Sequence, residues 1–154
     1  AEFKGVEHRI EFVAEGAGVK FYNDSKATSV DATSKALEAL STPNGKTLLI
    51  LGGRGKNAPY APLVPLIESS VRSLILIGED ADNIESQLSG HAQIERAGSM
   101  EDAVNKGFAS AESGDSVLLA PACASFDMFK SFEERGEIFK AAVARIAAVD
   151  AATN

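Results

Sequence analysis

Three stretches of this chain are apolar without interruption: Thr47-Leu48-Leu49-Ile50-Leu51, Leu74-Ile75-Leu76-Ile77 and Val117-Leu118-Leu119. A strand with one face in water alternates apolar and polar residues, so an unbroken run belongs to a strand covered on both faces. The segments between the runs carry helical spacing. Strands and helices in alternation give an α/β fold, a Rossmann-like and mainly parallel sheet with helices on both faces. The pattern predicts helices over 29–41, 60–69, 81–88, 100–112 and about 133–149, and strands over 46–51, 72–77, 92–95 and 115–119. An N-terminal β-hairpin precedes them, with extended runs Arg9–Val13 and Val19–Tyr22 around Glu15-Gly16-Ala17-Gly18, where the two glycines are expected to supply the turn.

Helix ends are marked in the same way. Thr28-Ser29-Val30-Asp31 and Ser99-Met100-Glu101-Asp102 read as capping boxes, with Thr28 and Ser99 as the caps, and Asp80 is placed to cap the helix that buries Ile84 and Leu88. The last helix has Glu133 and Glu134 in its first turn and stacks Phe139, Val143 and Ile146 on one face.

At 154 residues the chain has the size of one domain, expected over 1–150 with 151–154 as a frayed tail. A net charge of −7 argues against a nucleic-acid partner, which calls for a basic stripe. No apolar run approaches the roughly eighteen residues needed to span a bilayer, and the first twenty contain no signal-peptide core, so no membrane partner is expected. The single cysteine, Cys123, rules out an intrachain disulfide and suits a reducing cytoplasm. With His8 and His91 as the only histidines, four zinc ligands cannot be assembled either.

Chemistry concentrates where strands end. In an open parallel sheet, ligands gather in the crevice beyond the carboxyl ends of the strands. There stand Asn23-Asp24-Ser25-Lys26-Ala27-Thr28, Gly52-Gly53-Arg54-Gly55-Lys56, and Pro121-Ala122-Cys123-Ala124-Ser125-Phe126-Asp127. The first of these opens a helix, whose unpaired N–H groups favour anions. The second lets the backbone approach a ligand and adds a lysine charge. It is not a Walker loop, because Ile50 stands where that motif needs glycine and Asn57 where it needs Ser or Thr. Each motif has a plain alternative. Thr28 can be only a helix cap, the glycine-rich turn only a loop, Arg9 a solvated strand residue, Phe132 part of the core, and Cys123 a small buried hydrophobe.

Together with His8-Arg9 and Phe132-Glu133-Glu134-Arg135-Gly136, these motifs occur in order and spacing over nearly the whole chain as they do in one family. The chain resembles the C-terminal domain of the Mur ligases of peptidoglycan synthesis, and within that family the branch that adds D-glutamate to UDP-N-acetylmuramoyl-L-alanine, for which Asn-Asp-Ser-Lys-Ala-Thr is distinctive. The resemblance implies that Thr28, Lys56, Ser125, Phe126 and Phe132 form the D-glutamate site, with Lys56 and the two hydroxyls on its carboxylates and Phe132 bounding the pocket. It places Arg9, Asn23 and Asp24 on the ATP side, Asp24 near the ribose and Arg9 near the phosphates. The catalytic assignment falls on Lys26, as electrostatic support of the anionic site. Arg54 departs from the family pattern and receives no role.

The resemblance further implies ATP and Mg2+ as cofactors of the full-length enzyme, cell-wall biogenesis as its process and the cytoplasm as its location. The phosphate-binding loop, the magnesium ligands and the site for UDP-N-acetylmuramoyl-L-alanine belong to two other domains of that family. On this basis the chain is expected to be a C-terminal domain that is inactive by itself. Two other readings stay open from the residues alone: a stand-alone amino-acid or nucleotide-binding module, and a domain of another amide ligase of the superfamily.

Overall fold

The computed structural model describes residues 7–153, and for 147–153 the backbone alone. Residues 1–6 of the expected domain, and Asn154 of the expected tail, lie outside the described residues. The elements run β1 Glu11–Gly16, β2 Val19–Asn23, α1 Val30–Leu40, β3 Thr47–Gly52, a 3-10 turn Ala61–Leu63 leading into α2 Val64–Ser70, β4 Val71–Ile77, α3 Ala81–Leu88, β5 Gln93–Arg96, α4 Met100–Ser110, β6 Ser116–Leu119 and α5 Phe132–Thr153. They form one six-stranded sheet in the order β1-β2-β6-β3-β4-β5. Only the β1–β2 hairpin is antiparallel, and every other neighbouring pair is parallel. The Rossmann-like sheet with an N-terminal hairpin is thus the observed architecture.

Each unbroken apolar run supplies two cores at once. Leu49, Leu51, Leu74, Leu76 and Leu118 point to one face, where Leu37 of α1, Ile67 of α2, and Ile84 and Leu88 of α3 cover them. Leu48, Ile50, Ile75, Ile77, Val117 and Leu119 point to the other, under Met100 and Val104 of α4 and Phe139 and Val143 of α5. Successive strand residues face opposite sides, so a strand between two helical layers has no polar position to spare. Phe132 belongs to neither core and is half-buried at the start of α5.

Several local expectations need correction. The hairpin turn is made by Ala17 (φ 53°) and Gly18 (φ 78°), not by the two glycines, since a two-residue turn requires positive φ at adjacent positions. Helix α1 is capped by Ser29, whose Oγ accepts from the Ala32 N–H at 3.1 Å, and Thr28 stands one residue too early. Ser29 has the extended backbone of a cap (φ −134°, ψ 159°), and its hydroxyl reaches a free helix donor. Asp80 precedes α3 but makes no capping bond, its carboxylate being held by Tyr60 and Asn83. At α4, Ser99 does cap, accepting from the Asp102 N–H at 3.1 Å. Helix α5 runs to Thr153, past the expected end at 149. Arg9 is not in a strand. It stands before β1 between two residues of left-handed backbone, His8 (φ 64°) and Ile10 (φ 47°), which break the extended run. Among the described residues, no helix is long and apolar enough to cross a membrane.

Candidate functional site

Backbone bonds between loops knit together the carboxyl end of the sheet. The Asp24 N–H donates to Leu119 O (2.8 Å), Ala122 to Ala27 (2.8 Å), and Gly52 to Pro121 (2.9 Å). Arg54 and Ala124 exchange both their backbone bonds, at 2.9 and 3.1 Å. The segment after β3 therefore lies against the segment after β6, and Gly53 sits so near the Ala124 carbonyl that a side chain there would collide with it. Three motifs far apart in sequence become the walls of two neighbouring clefts.

The first cleft, of about 290 Å³, is lined by Thr28, Lys56, Ala124, Ser125, Phe126 and Phe132. All five residues expected around one amino acid are there. Lys56 Nζ reaches across to the Thr28 carbonyl at 2.8 Å, which holds its ammonium over the cleft and leaves it further donors. Ser125 is buried, and neither its hydroxyl nor that of Thr28 is engaged in a hydrogen bond among the described residues. Phe126 is 65% exposed on the rim.

The second cleft, of about 320 Å³, is lined by Arg9, Ile10, Asp24, Lys26, Ala27, Asp31, Ala32 and Lys35. Arg9, Lys26 and the buried carboxyl of Asp24 meet there, while Lys35 is paired with Asp31 at 3.2 Å along the rim helix. Burial pushes Asp24 up to about 6, against the opposing pull of the Ile10 N–H and the Arg9 charge. Phe132 links the clefts: it lines the first, and its ring lies 5.9 Å from Nζ of Lys26, which lines the second, within range of a cation–π contact.

Asn23 stands behind this wall. Its amide nitrogen donates to Glu11 Oε1 (3.1 Å) and bonds His8 Nδ1 (2.9 Å), while its oxygen accepts from the Ser25 N–H (3.1 Å). The side chain is thereby engaged in shaping the turn that presents Asp24. Arg54 now has a place as well, paired at 3.2 Å with Glu79 on the surface. Cys123 is fully buried, and its thiol is pushed up to about 11, chiefly by burial.

Arg135 is the residue whose place the sequence reading missed. It is fully buried, and its guanidinium donates to Ser25 Oγ (2.9 Å), Ser25 O (2.7 Å) and Cys123 O (3.0 Å). One side chain so fastens the loop of Lys26 and Thr28 to the loop of Ser125. Loss of solvent lowers it to about 10, and it stays charged at neutral pH. The signal was available: position 135 lies four residues before Phe139, on the apolar stripe of α5.

The donor set of the second cleft suits an anionic nucleotide, with cations for phosphates and a carboxylate acceptor for hydroxyls. Mg2+ is different. Among the described residues the one group of potential ligands is Glu7, His8 and Glu137. The Lys140 ammonium already sits against it, 3.0 Å from Glu7 and 3.3 Å from Glu137. That cluster does not fit a divalent cation.

A model of the family described as Mur ligase, glutamate ligase domain, matches residues 8–123. The UDP-N-acetylmuramoylalanine--D-glutamate ligase of Thermoanaerobacter sp. (strain X514) is 53% identical over 148 residues, which is 94% of this chain and 32% of that protein. The chain therefore spans about a third of the length of this curated relative. Among solved structures, the UDP-N-acetylmuramate-alanine ligase of Thermotoga maritima superposes with a TM-score of 0.67 at 14% identity, covering 96% of this chain and 31% of that one. The MurF ligase of Thermotoga maritima, solved in complex with ADP, superposes with a TM-score of 0.64 at 19% identity, covering 96% and 34%. At such identities these two structures speak for the fold, while the match over residues 8–123 speaks for descent: the chain belongs to the Mur ligase family, as its glutamate ligase domain.

Proposed function

We propose that this chain is the C-terminal domain of a cytoplasmic ligase that uses ATP to join D-glutamate to UDP-N-acetylmuramoyl-L-alanine in peptidoglycan synthesis. The observation that carries the reading is the convergence of Thr28, Lys56, Ser125, Phe126 and Phe132 on one cleft, beside a second cleft with a nucleotide's complement. The 53% identity to a protein named for the D-glutamate reaction favours this amino acid over others.

ATP supplies the phosphoryl group that turns the carboxylate of the uridine nucleotide into an acyl phosphate. The amine nitrogen of D-glutamate attacks the acyl carbon and gives up a proton, the bond from that carbon to the phosphate oxygen breaks, and phosphate leaves with the electron pair. This chain's part is to hold the amine in line. Lys56 and the hydroxyls of Thr28 and Ser125 fix the two carboxylates, leaving the nitrogen as the free end of a molecule that can no longer rotate. Phe132 closes the pocket against water. In the neighbouring cleft Arg9 and Lys26 take phosphate charge and Asp24 accepts from the ribose, with Asn23 holding the turn that carries Asp24. The ligands of Mg2+ and the site of the uridine nucleotide lie in other parts of the enzyme.

In the ligase that contains this chain, Lys56→Ala raises the KM for D-glutamate about ten- to a hundredfold, the value of a charge-assisted bond, with little change for ATP. Asp24→Ala does the reverse. Equal effects of either substitution on both substrates would overturn the division into two sites.

A further inference from the structure

Lys56 owes its position to a loop with few backbone bonds of its own. The loop is held from below by a polar cluster in which Tyr60 and Cys123 are buried and Asp80 half-buried. Tyr60, 2% exposed, donates its hydroxyl to Asp80 Oδ2 at 2.5 Å, and the Tyr60 hydroxyl oxygen itself lies 3.1 Å from Cys123 Sγ. Asn83 Nδ2 donates to Asp80 Oδ2 at 3.2 Å, and the Tyr60 N–H donates to Gln87 Oε1 at 2.8 Å. The Asp80 N–H bonds the Gly53 carbonyl at 3.0 Å, and the backbone of Gly55 rests on the Asp80 carboxylate so closely that a β-carbon would overlap it. Burial, and then the bonds to Asp80 and Cys123, raise the Tyr60 phenol far above its ordinary range, so it remains a donor at any working pH.

From this arrangement we infer that Tyr60, anchored on Asp80, is a positioning residue for amino-acid binding: it fixes the Gly53–Lys56 loop against the Cys123–Ser125 segment and so sets where the Lys56 ammonium meets a carboxylate. The inference rests on the reading of Lys56 given above. The geometry is specific to a hydroxyl. One oxygen touches both sides of the cleft's floor, the β4–α3 corner through Asp80 and the segment after β6 through Cys123. Phenylalanine would fill the same space and touch neither by hydrogen bond.

The test uses the full-length ligase with Tyr60→Phe, Gly55→Ala, Lys56→Ala and the double variant Tyr60→Phe/Lys56→Ala. Tyr60→Phe and Gly55→Ala are expected to raise the KM for D-glutamate about tenfold, while kcat and the KM for ATP stay within about twofold. In the Lys56→Ala background the same change at Tyr60 should add less than about twofold, because it acts through a side chain no longer there. Amide hydrogen exchange supplies a readout that needs no substrate, and the amides of Arg54 to Asn57 should exchange faster in Tyr60→Phe. An unchanged KM for D-glutamate in Tyr60→Phe, with Lys56→Ala impaired, overturns the positioning role alone. If Lys56→Ala leaves that KM unchanged while exchange rises in Tyr60→Phe, the loop is anchored as described but the reading of Lys56 falls, and the inference falls with it.

Discussion

Gly136 stands directly against His8: a β-carbon at position 136 would overlap the imidazole Nδ1, the atom that bonds the Asn23 amide at 2.9 Å. Helix α5 thus presents bare backbone where the residues before β1 press on it. The contact joins the last helix to the turn that carries Asp24.

Gly136→Ala should therefore destabilise the fold, by about 1–3 kcal/mol as for other overpacked sites, although alanine is the better helix former. Thermal unfolding measures the loss, and the His8 ring resonances should shift. A rise in melting temperature would mean that helix propensity outweighs the clash.

Ser29 and Thr28 should divide structure from binding. Ser29→Ala removes the cap of α1 and should cost about 1 kcal/mol of stability with D-glutamate affinity unchanged. Thr28→Ala should leave stability within about 0.5 kcal/mol and weaken D-glutamate binding, as expected for a side chain with no structural bond to lose. Denaturant titration and calorimetric binding on the same samples would show the opposite assignment if Thr28 were the cap.

Asp24 should leave a signature in the pH dependence of stability. Its carboxyl is raised from 3.8 to about 6 in the folded chain, so between these values the native state binds more protons than the unfolded one. The contribution is fully present below about pH 4 and is lost as pH rises through 6, by at most about 3 kcal/mol. Asp24→Asn should flatten that fall. A wild-type stability curve that rises between pH 4 and 6 with the same slope in Asp24→Asn would contradict the buried carboxyl.

Cys123 should resist alkylation. With its thiol pushed up to about 11, foremost by burial and also by the Asp80 carboxylate, the thiolate is scarce at pH 8. Iodoacetamide should modify the native chain about a hundredfold or more slowly than the chain in urea, since both thiolate fraction and access are reduced. Comparable rates in the two states would show an accessible thiol.

The sheet was legible because a doubly covered strand leaves an unmistakable trace, three or four apolar residues in a row, and the motifs were legible because they stand at the ends of those strands. What could not be read depends on distance or on a single residue of offset. Thr28 and Ser29 both carry hydroxyls, so the pattern located the start of α1 but not which of the two turns inward. Arg135 was hidden by its type, since an arginine in the first turn of a helix is usually a solvated one, and only the stripe through Phe139 and Val143 betrays it. The hydrogen bond from Tyr60 to Asp80 joins residues that no local pattern relates. The order of the strands was equally silent, because helical crossovers can place the next parallel strand on either side of the last.

That order bears on how the chain comes to be folded at all. β6, the last of the described strands in chain order, lies between β2 and β3, two of the earlier ones. Until residues 116–119 leave the ribosome, β2 and β3 each carry an unpaired edge, and the hairpin cannot join the rest of the sheet. A nascent chain arrested before that point is a sheet with a slot in it, open to any other strand. The domain closes late, by a long-range insertion that slows folding, and its exposure to misassembly in the cell is set by the time taken to translate the roughly sixty residues between β3 and β6.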